Sequence, residues 1–171
     1  MPAFENVESA VVAALNRLVD EDRFLLEDDA NERSLSHRFA MYLQAVVDVW
    51  GEGWSVDCEY NRDADGGLLN PKRLNLPEFD VLHLRADDAD ATTVYPDVVV
   101  HHRRLAGEDG HNLLVVEMKK STANDGGEGD VRRKLPAYVS QLHYQYALFV
   151  RFLTRNQSSY ELKWVCRPPD R

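Results

Sequence analysis

Three observations predict an α/β fold. Two early segments carry apolar residues at helical spacing. Short runs rich in β-branched residues follow in the middle of the chain. A further helical stripe then leads into two more strand-like runs near the end. With 171 residues, 44% hydrophobic and 29% charged, the chain is long enough for one domain with its own core, and residues 1–171 read as a single unit without an internal repeat.

The first helix spans residues 4–19, where Phe4, Val7, Val11, Leu15 and Leu18 recur at steps of three and four. The acidic run EDDANE after it reads as a solvated turn. Asn31 suits an N-cap, and the helix it opens extends to about Trp50, with Leu35, Phe39, Tyr42, Leu43, Val46, Val49 and Trp50 on its buried side. Gly51 and Gly53 stop it. Residues 54–60 alternate as a strand, with Val56, Cys58 and Tyr60 on one face and Asp57 and Glu59 on the other. Residues 61–77, with Gly66-Gly67, Pro71 and Pro77, read as a loop. On it, Lys72-Arg73 either reaches a nucleic-acid backbone or keeps the loop soluble. Residues 79–84 read as a short strand, and the acidic ADDADATT as a mobile connection.

The centre of the chain carries the chemistry. Val98-Val99-Val100 follows Pro96-Asp97, and Leu113-Leu114-Val115-Val116 leads into Glu117-Met118-Lys119-Lys120. Runs this short and this β-branched are strands, and the roughly ten-residue connection between them allows a hairpin. Strand alternation sends Glu117 and Lys119 to one side and Met118 to the other. If the two strands pair, Asp97 approaches Glu117, with Lys119 one step along. Two carboxylates at the end of an apolar sheet are costly to bury without a partner. A divalent cation removes that cost, and Mg²⁺ suits one or two carboxylates plus water and phosphate oxygens. Lysine beside it orients or activates a water, or stabilises phosphate charge.

At Pro96-Asp97 and Glu117-Met118-Lys119 the chain resembles the PD-(D/E)XK nuclease superfamily, the restriction-endonuclease-like fold. The resemblance covers about residues 32–153 and is to small prokaryotic members with a helix reading like NERSLSHRFAMYL and a strand reading like NLLVVEMKKS. It implies an αβββαβ core, a central mixed sheet flanked by helices, here with an extra N-terminal helix and a C-terminal strand. It also implies a catalytic set of Glu32, Asp97, Glu117 and Lys119, with Mg²⁺ or Mn²⁺ held by Asp97 and Glu117 and assisted by Glu32. The helix dipole alone also accounts for a carboxylate at Glu32.

Residues 121–129 read as a loop. Asp130 caps a helix through about His143, or the helix starts as late as Leu135, since Pro136 is favoured in a first turn. Leu135, Val139 and Leu142 form its core stripe. Residues 146–153 and 160–166 read as a terminal hairpin. Nucleic-acid contacts are sought at His37, Arg38, His101, Arg132, Arg133 and Gln141, and the resemblance implies a Gln or a Tyr from the helix after the Lys motif, for which Gln141 and Tyr144 are the candidates. A surface role for the helical residues and a polar strand end for His101 are the competing readings.

The net charge of −9 opposes a general nucleic-acid binder. The charge is uneven, however. Acids crowd into residues 20–29 and 87–90, while Arg103-Arg104, Lys119-Lys120 and Arg132-Arg133-Lys134 lie nearer the motif. Cys58 and Cys166 lack metal-type spacing and fit a reduced, cytoplasmic setting. No apolar stretch has membrane-spanning length, and the N-terminus lacks the pattern of a signal peptide. No Gly-x-Ser-x-Gly supports acyl transfer. The expectation is a metal-dependent nuclease acting on nucleic acid, DNA before RNA, alone, as a homodimer or with a protein partner. The alternative is a silent nuclease-fold module recruited by a protein partner.

Overall fold

A computed structural model describes residues 1–51, 53–65, 68–74, 92–103, 112–122, 126–155 and 157–166. The chain opens with helix α1 (Phe4–Glu21), a single turn-and-a-half α2 (Arg23–Glu27) and helix α3 (Glu32–Val47), which tightens into a 3₁₀ turn at Asp48–Trp50. The Asn31 side chain caps α3 by accepting the Ser34 N–H at 2.9 Å. Strands β1 (Ser55–Cys58), β2 (Arg62–Asp65), β3 (Leu68–Pro71), β4 (Arg73–Leu74) and β5 (Thr92–Thr93) follow. The second half is β6 (Val98–His101), β7 (Asn112–Lys120), helix α4 (Gly126–Gln141), β8 (Tyr146–Leu153) and β9 (Ser159–Cys166).

Five strands form a mixed sheet in the order β1-β6-β7-β8-β9. The pairs β1–β6, β6–β7 and β8–β9 are antiparallel, while β7 and β8 run parallel. A parallel pair needs a crossover, and α4 supplies it. Alternation along the strands divides the core in two. Val98, Val100, Leu114, Val116, Met118, Leu148, Val150 and Phe152 meet the apolar faces of α1 and α3. Val99, Val115, Ala147 and Phe149 meet α4 through Val131, Leu135, Tyr138, Val139 and Leu142. Helices on both faces explain why β6, β7 and β8 read as near-continuous apolar runs.

Several expectations are corrected. Val49 is 80% exposed, because the 3₁₀ turn at Asp48–Trp50 breaks the 3.6-residue phase, and Val47 takes the buried position instead. Tyr60 does not share a face with Val56. Glu59 adopts a left-handed φ of 49°, which ends the alternation, so Tyr60 packs on the α4 side and Val56 on the α3 side. Residues 62–65 and 68–71 are strands of a hairpin rather than loop. Lys72 is not a solubilising residue: it is 1% exposed, hydrogen-bonded to the Tyr144 hydroxyl and 5.3 Å from the Tyr60 ring. The acidic turn before α3 is not simply solvated, since Asp29 is engaged by Lys120 and Arg155. Helix α4 begins at Gly126, before Asp130, and runs through Pro136. The strand expected at residues 79–84 and the acidic connection up to residue 91 lie outside the described residues. Among the described residues no helix is long and apolar enough to cross a membrane.

Candidate active site

The four residues implied by the motif come from three separate elements. Val98 pairs with Val116, so one step outward Asp97 stands across from Glu117. The start of α3 brings Glu32 to the same end of the sheet, because α3 lies along β1 and β7. Lys119 donates to Glu32 Oε2 at 3.0 Å, and the Lys120 N–H donates to Glu32 Oε1 at 3.2 Å. Asp97 Oδ2 accepts the Met118 N–H at 2.6 Å. Glu117, 4% exposed, accepts the Tyr138 hydroxyl at 2.6 Å on Oε1.

The electrostatics are unbalanced. Glu32, Asp97 and Glu117 crowd around the Lys119 ammonium. Burial, then the Glu117 charge, pushes the Asp97 carboxyl up to about 7, against the opposing pull of the Met118 N–H and Lys119. Burial pulls the Lys119 ammonium down, but the Glu32 hydrogen bond and the charges of Glu32, Asp97 and Glu117 outweigh it, and the net direction is up. Lys119 is therefore a cation at neutral pH. The Tyr138 hydroxyl is pushed well above its usual range by burial and by Glu117, so it stays a donor to that carboxylate.

The donor set suits a hard divalent cation. Two carboxylates on adjacent strands offer oxygen ligands, and the hydrogen bonds above occupy one oxygen of each. Among the described residues no group of three or more His, Cys, Asp or Glu side chains forms a ready cage. Mg²⁺ does not require one, since it is held by one or two carboxylates and keeps several waters. Glu32 is committed to Lys119 and Lys120, which makes it a partner of the lysine rather than part of a preformed carboxylate triad. A solvent-open cleft of about 110 Å³ flanks Asp97, lined also by Arg33, Ser36, Cys58 and Glu59.

A further set of contacts, centred on Asp29, holds the α3 start against the end of β7. Lys120 reaches Asp29 Oδ1 at 3.0 Å and the Asp29 carbonyl at 3.1 Å. Thr122 and Arg155 bond the same carboxylate at 3.0 and 3.2 Å. The Lys120 hydrogen bond is the main reason the Asp29 carboxyl falls to about 2.

The remaining sequence candidates lie elsewhere or do different work. His101 is 3% exposed and is bonded to Asp57 at 2.8 Å, one strand-length from Asp97, so it is a buried structural group and not a nucleic-acid contact. Burial lowers its imidazole to about 4, and the Asp57 hydrogen bond opposes this only in part. Arg38 forms a paired hydrogen bond to Asp22 at 2.7 and 2.9 Å and stacks near Tyr42, which commits it to joining α1 and α3. Tyr144 is buried against Lys72. His37, Arg133 and Gln141 are exposed, and the Arg132 side chain lies outside the description. Sequence reasoning missed Tyr138. A tyrosine among Leu135, Val139 and Leu142 reads as core, and only the packing of α4 on the sheet turns its hydroxyl toward Glu117.

No family model matches the chain, and no curated protein matches it. A solved structure described as SSO0001 is similar at 13% identity and a TM-score of 0.33, with 96% of this chain and 77% of that chain covered.

Proposed function

We propose that the chain is a metal-dependent nuclease of the restriction-endonuclease-like fold, hydrolysing phosphodiester bonds of DNA or RNA. The observation that carries this reading is the convergence of Asp97, Glu117, Lys119 and Glu32 at one end of the β6–β7 pair, with the acids in electrostatic conflict. Conflict of this kind is retained where it serves a ligand rather than the fold. The strand and helix order α3, β1, β6, β7, α4, β8 agrees with the expected core.

Asp97 and Glu117 would hold Mg²⁺ or Mn²⁺, which when bound supplies Lewis-acid polarisation of the phosphate and acidifies coordinated water. The chain's own groups do the positioning. The Met118 N–H fixes the rotamer of Asp97, and Tyr138 fixes that of Glu117. Lys119, held as an ammonium by Glu32, donates hydrogen bonds to the attacking water or to the phosphate oxygens and stabilises charge there. In its charged form it does not act as the base.

The test is cleavage of a panel of single- and double-stranded DNA and RNA with Mg²⁺, Mn²⁺ or chelator, for the parent and Asp97→Ala. Cleavage that requires both the metal and Asp97 supports the assignment. Equal cleavage by parent and variant, or cleavage in chelator, rejects it.

A second reading is favoured by one specific observation: Lys119 is already ion-paired with Glu32 at 3.0 Å. The chain is then a silent binding module brought to its target by a protein partner. Calorimetry with Mn²⁺ separates the two, because the silent module gives no heat that depends on Asp97 and Glu117.

A further inference from the structure

Strand β9 ends the five-stranded sheet, and among the described residues no strand lies on its outer side. It pairs with β8 over all eight of its positions, from Ser159 to Cys166, without a register shift. It carries no proline. Such an edge is a template for pairing with another chain. Tyr160, Leu162 and Trp164 share the face covered by α1, where Phe4 meets the Trp164 ring at 5.2 Å and Tyr160 donates to Asn16 at 2.7 Å. Glu161 and Lys163 share the opposite face, with Val165 toward the α4-side core.

The order of these residues selects a partner. Residues directly opposite in an antiparallel pair point to the same side of the sheet, so self-pairing about a two-fold axis must centre on a residue. Four registers keep five or more of the eight residues, and the one centred on Trp164 keeps only five and sets Lys163 against Val165, without a charge complement. One centred on Glu161 opposes two glutamates. One centred on Lys163 opposes two lysines. The register centred on Leu162 sets Glu161 against the partner copy's lysine at 163, twice by symmetry. The same register sets Tyr160 against the second tryptophan at 164. A one-residue slip sends every side chain to the wrong face. The two charges thus act against random edge pairing and favour a single alignment.

We propose that β9 is a homodimer interface, in which two copies join antiparallel about Leu162 to form a continuous ten-stranded sheet. The interface rests on edge complementarity and is independent of any activity. One strand pair with its flanking aromatics lies at the small end of specific interfaces, so the dimer is reversible and concentration-dependent.

Sedimentation over about 1 μM to 1 mM tests this. The parent moves from one to two chain masses as concentration rises. Lys163→Glu and Glu161→Lys each turn two attractive contacts into two repulsive ones and weaken the dimer about tenfold or more. A one-to-one mixture of these two variants forms the heterodimer, since each glutamate again meets a lysine. The doubly swapped chain, E161K with K163E, dimerises like the parent. Circular dichroism and melting of each variant confirm folding, which matters because Glu161 also lies 3.8 Å from Arg151 within the chain. A parent that stays monomeric throughout the range overturns the proposal. So does a folded mixture of the two variants that fails to associate.

Discussion

The two ends of strand β6 bury charge in opposite ways. At the far end, Asp57 receives His101 at 2.8 Å and both donors of the Arg103 fork, and the His101 ring lies 4.4 Å from the Tyr60 ring. Burial pushes the Asp57 carboxyl up, but Arg103 and His101 more than reverse this, and its net direction is down. At the near end, Asp97 has a single backbone donor and another carboxylate across from it, and its net direction is up. Burial is the largest single influence on both acids. The difference lies in the partners, and it teaches that a buried acid is structural where its partners outweigh its burial and available to a ligand where they do not.

The largest test of that comparison is Lys119→Ala. Removing the Lys119 ammonium leaves Glu32, Asp97 and Glu117 without the cation on which all three act. Under the nuclease reading, single-turnover cleavage falls about 10²–10⁴-fold, while the circular dichroism spectrum is retained. A drop that merely tracks unfolding breaks the distinction between the two ends.

The pH dependence of stability comes next. Asp97 is raised from the usual carboxylate value to about 7. The folded state therefore holds a proton that the unfolded state has released, and stability falls as pH rises from about 4 to about 7. In chelator, the parent should lose up to about 4 kcal/mol across that window relative to Asp97→Asn, an upper bound at 1.36 kcal/mol per unit. Urea denaturation at a series of pH values reads this difference. Excess Mn²⁺ should recover about 2–3 kcal/mol at pH 7.5 in the parent and none in the variant, if added at roughly a hundred times its dissociation constant.

At the far end the sign reverses. Asp57→Asn removes the anion that His101 and Arg103 share, and should cost about 1–3 kcal/mol, less than a fully buried pair because Arg103 is exposed. Cleavage per folded molecule should not change. Loss of activity at unchanged stability would show that the two ends are coupled.

The smallest effect belongs to Tyr138→Phe. Glu117 loses the donor that fixes its rotamer, and under the nuclease reading cleavage should drop about 10-fold, the scale expected when a supporting contact behind a metal ligand is lost. Titration with Mn²⁺ should show weaker binding by a similar factor.

The sequence made the frame legible where periodicity is strong. Residues 4–19, the Asn31 cap, the runs at 98–100 and 113–116, and the terminal hairpin all stand where apolar spacing and turn residues put them. The hairpin of β2 and β3 was hidden because its strands are short, carry no β-branched residue and end on Pro71, although the Gly66-Gly67 pair in the sequence between them is a turn signal. Lys72 was misread because lysine is almost never fully buried, and only tertiary packing brings Tyr60 and Tyr144 around it. The same limit applies to the site. Asp97, Glu117 and Lys119 are legible as a motif, and strand alternation gives their common side. Their donors come from the Met118 and Lys120 backbone and from a tyrosine on α4, and no local pattern encodes those contacts.

The Asp29 clamp has a consequence for how the molecule is made. Its hydrogen bonds reach 91 residues along the chain to Lys120 and 126 residues to Arg155. Closing contacts over such separations is slow, and synthesis delivers their two halves at very different times. The α3 start leaves the ribosome long before the turn that follows β8. Until that last turn docks, Asp29 lacks its second cation, and the brace behind Glu32 and Lys119 is unfinished. A growing chain therefore carries its motif, once Lys119 has been made, without the completed brace until the turn after β8 has been released and has docked.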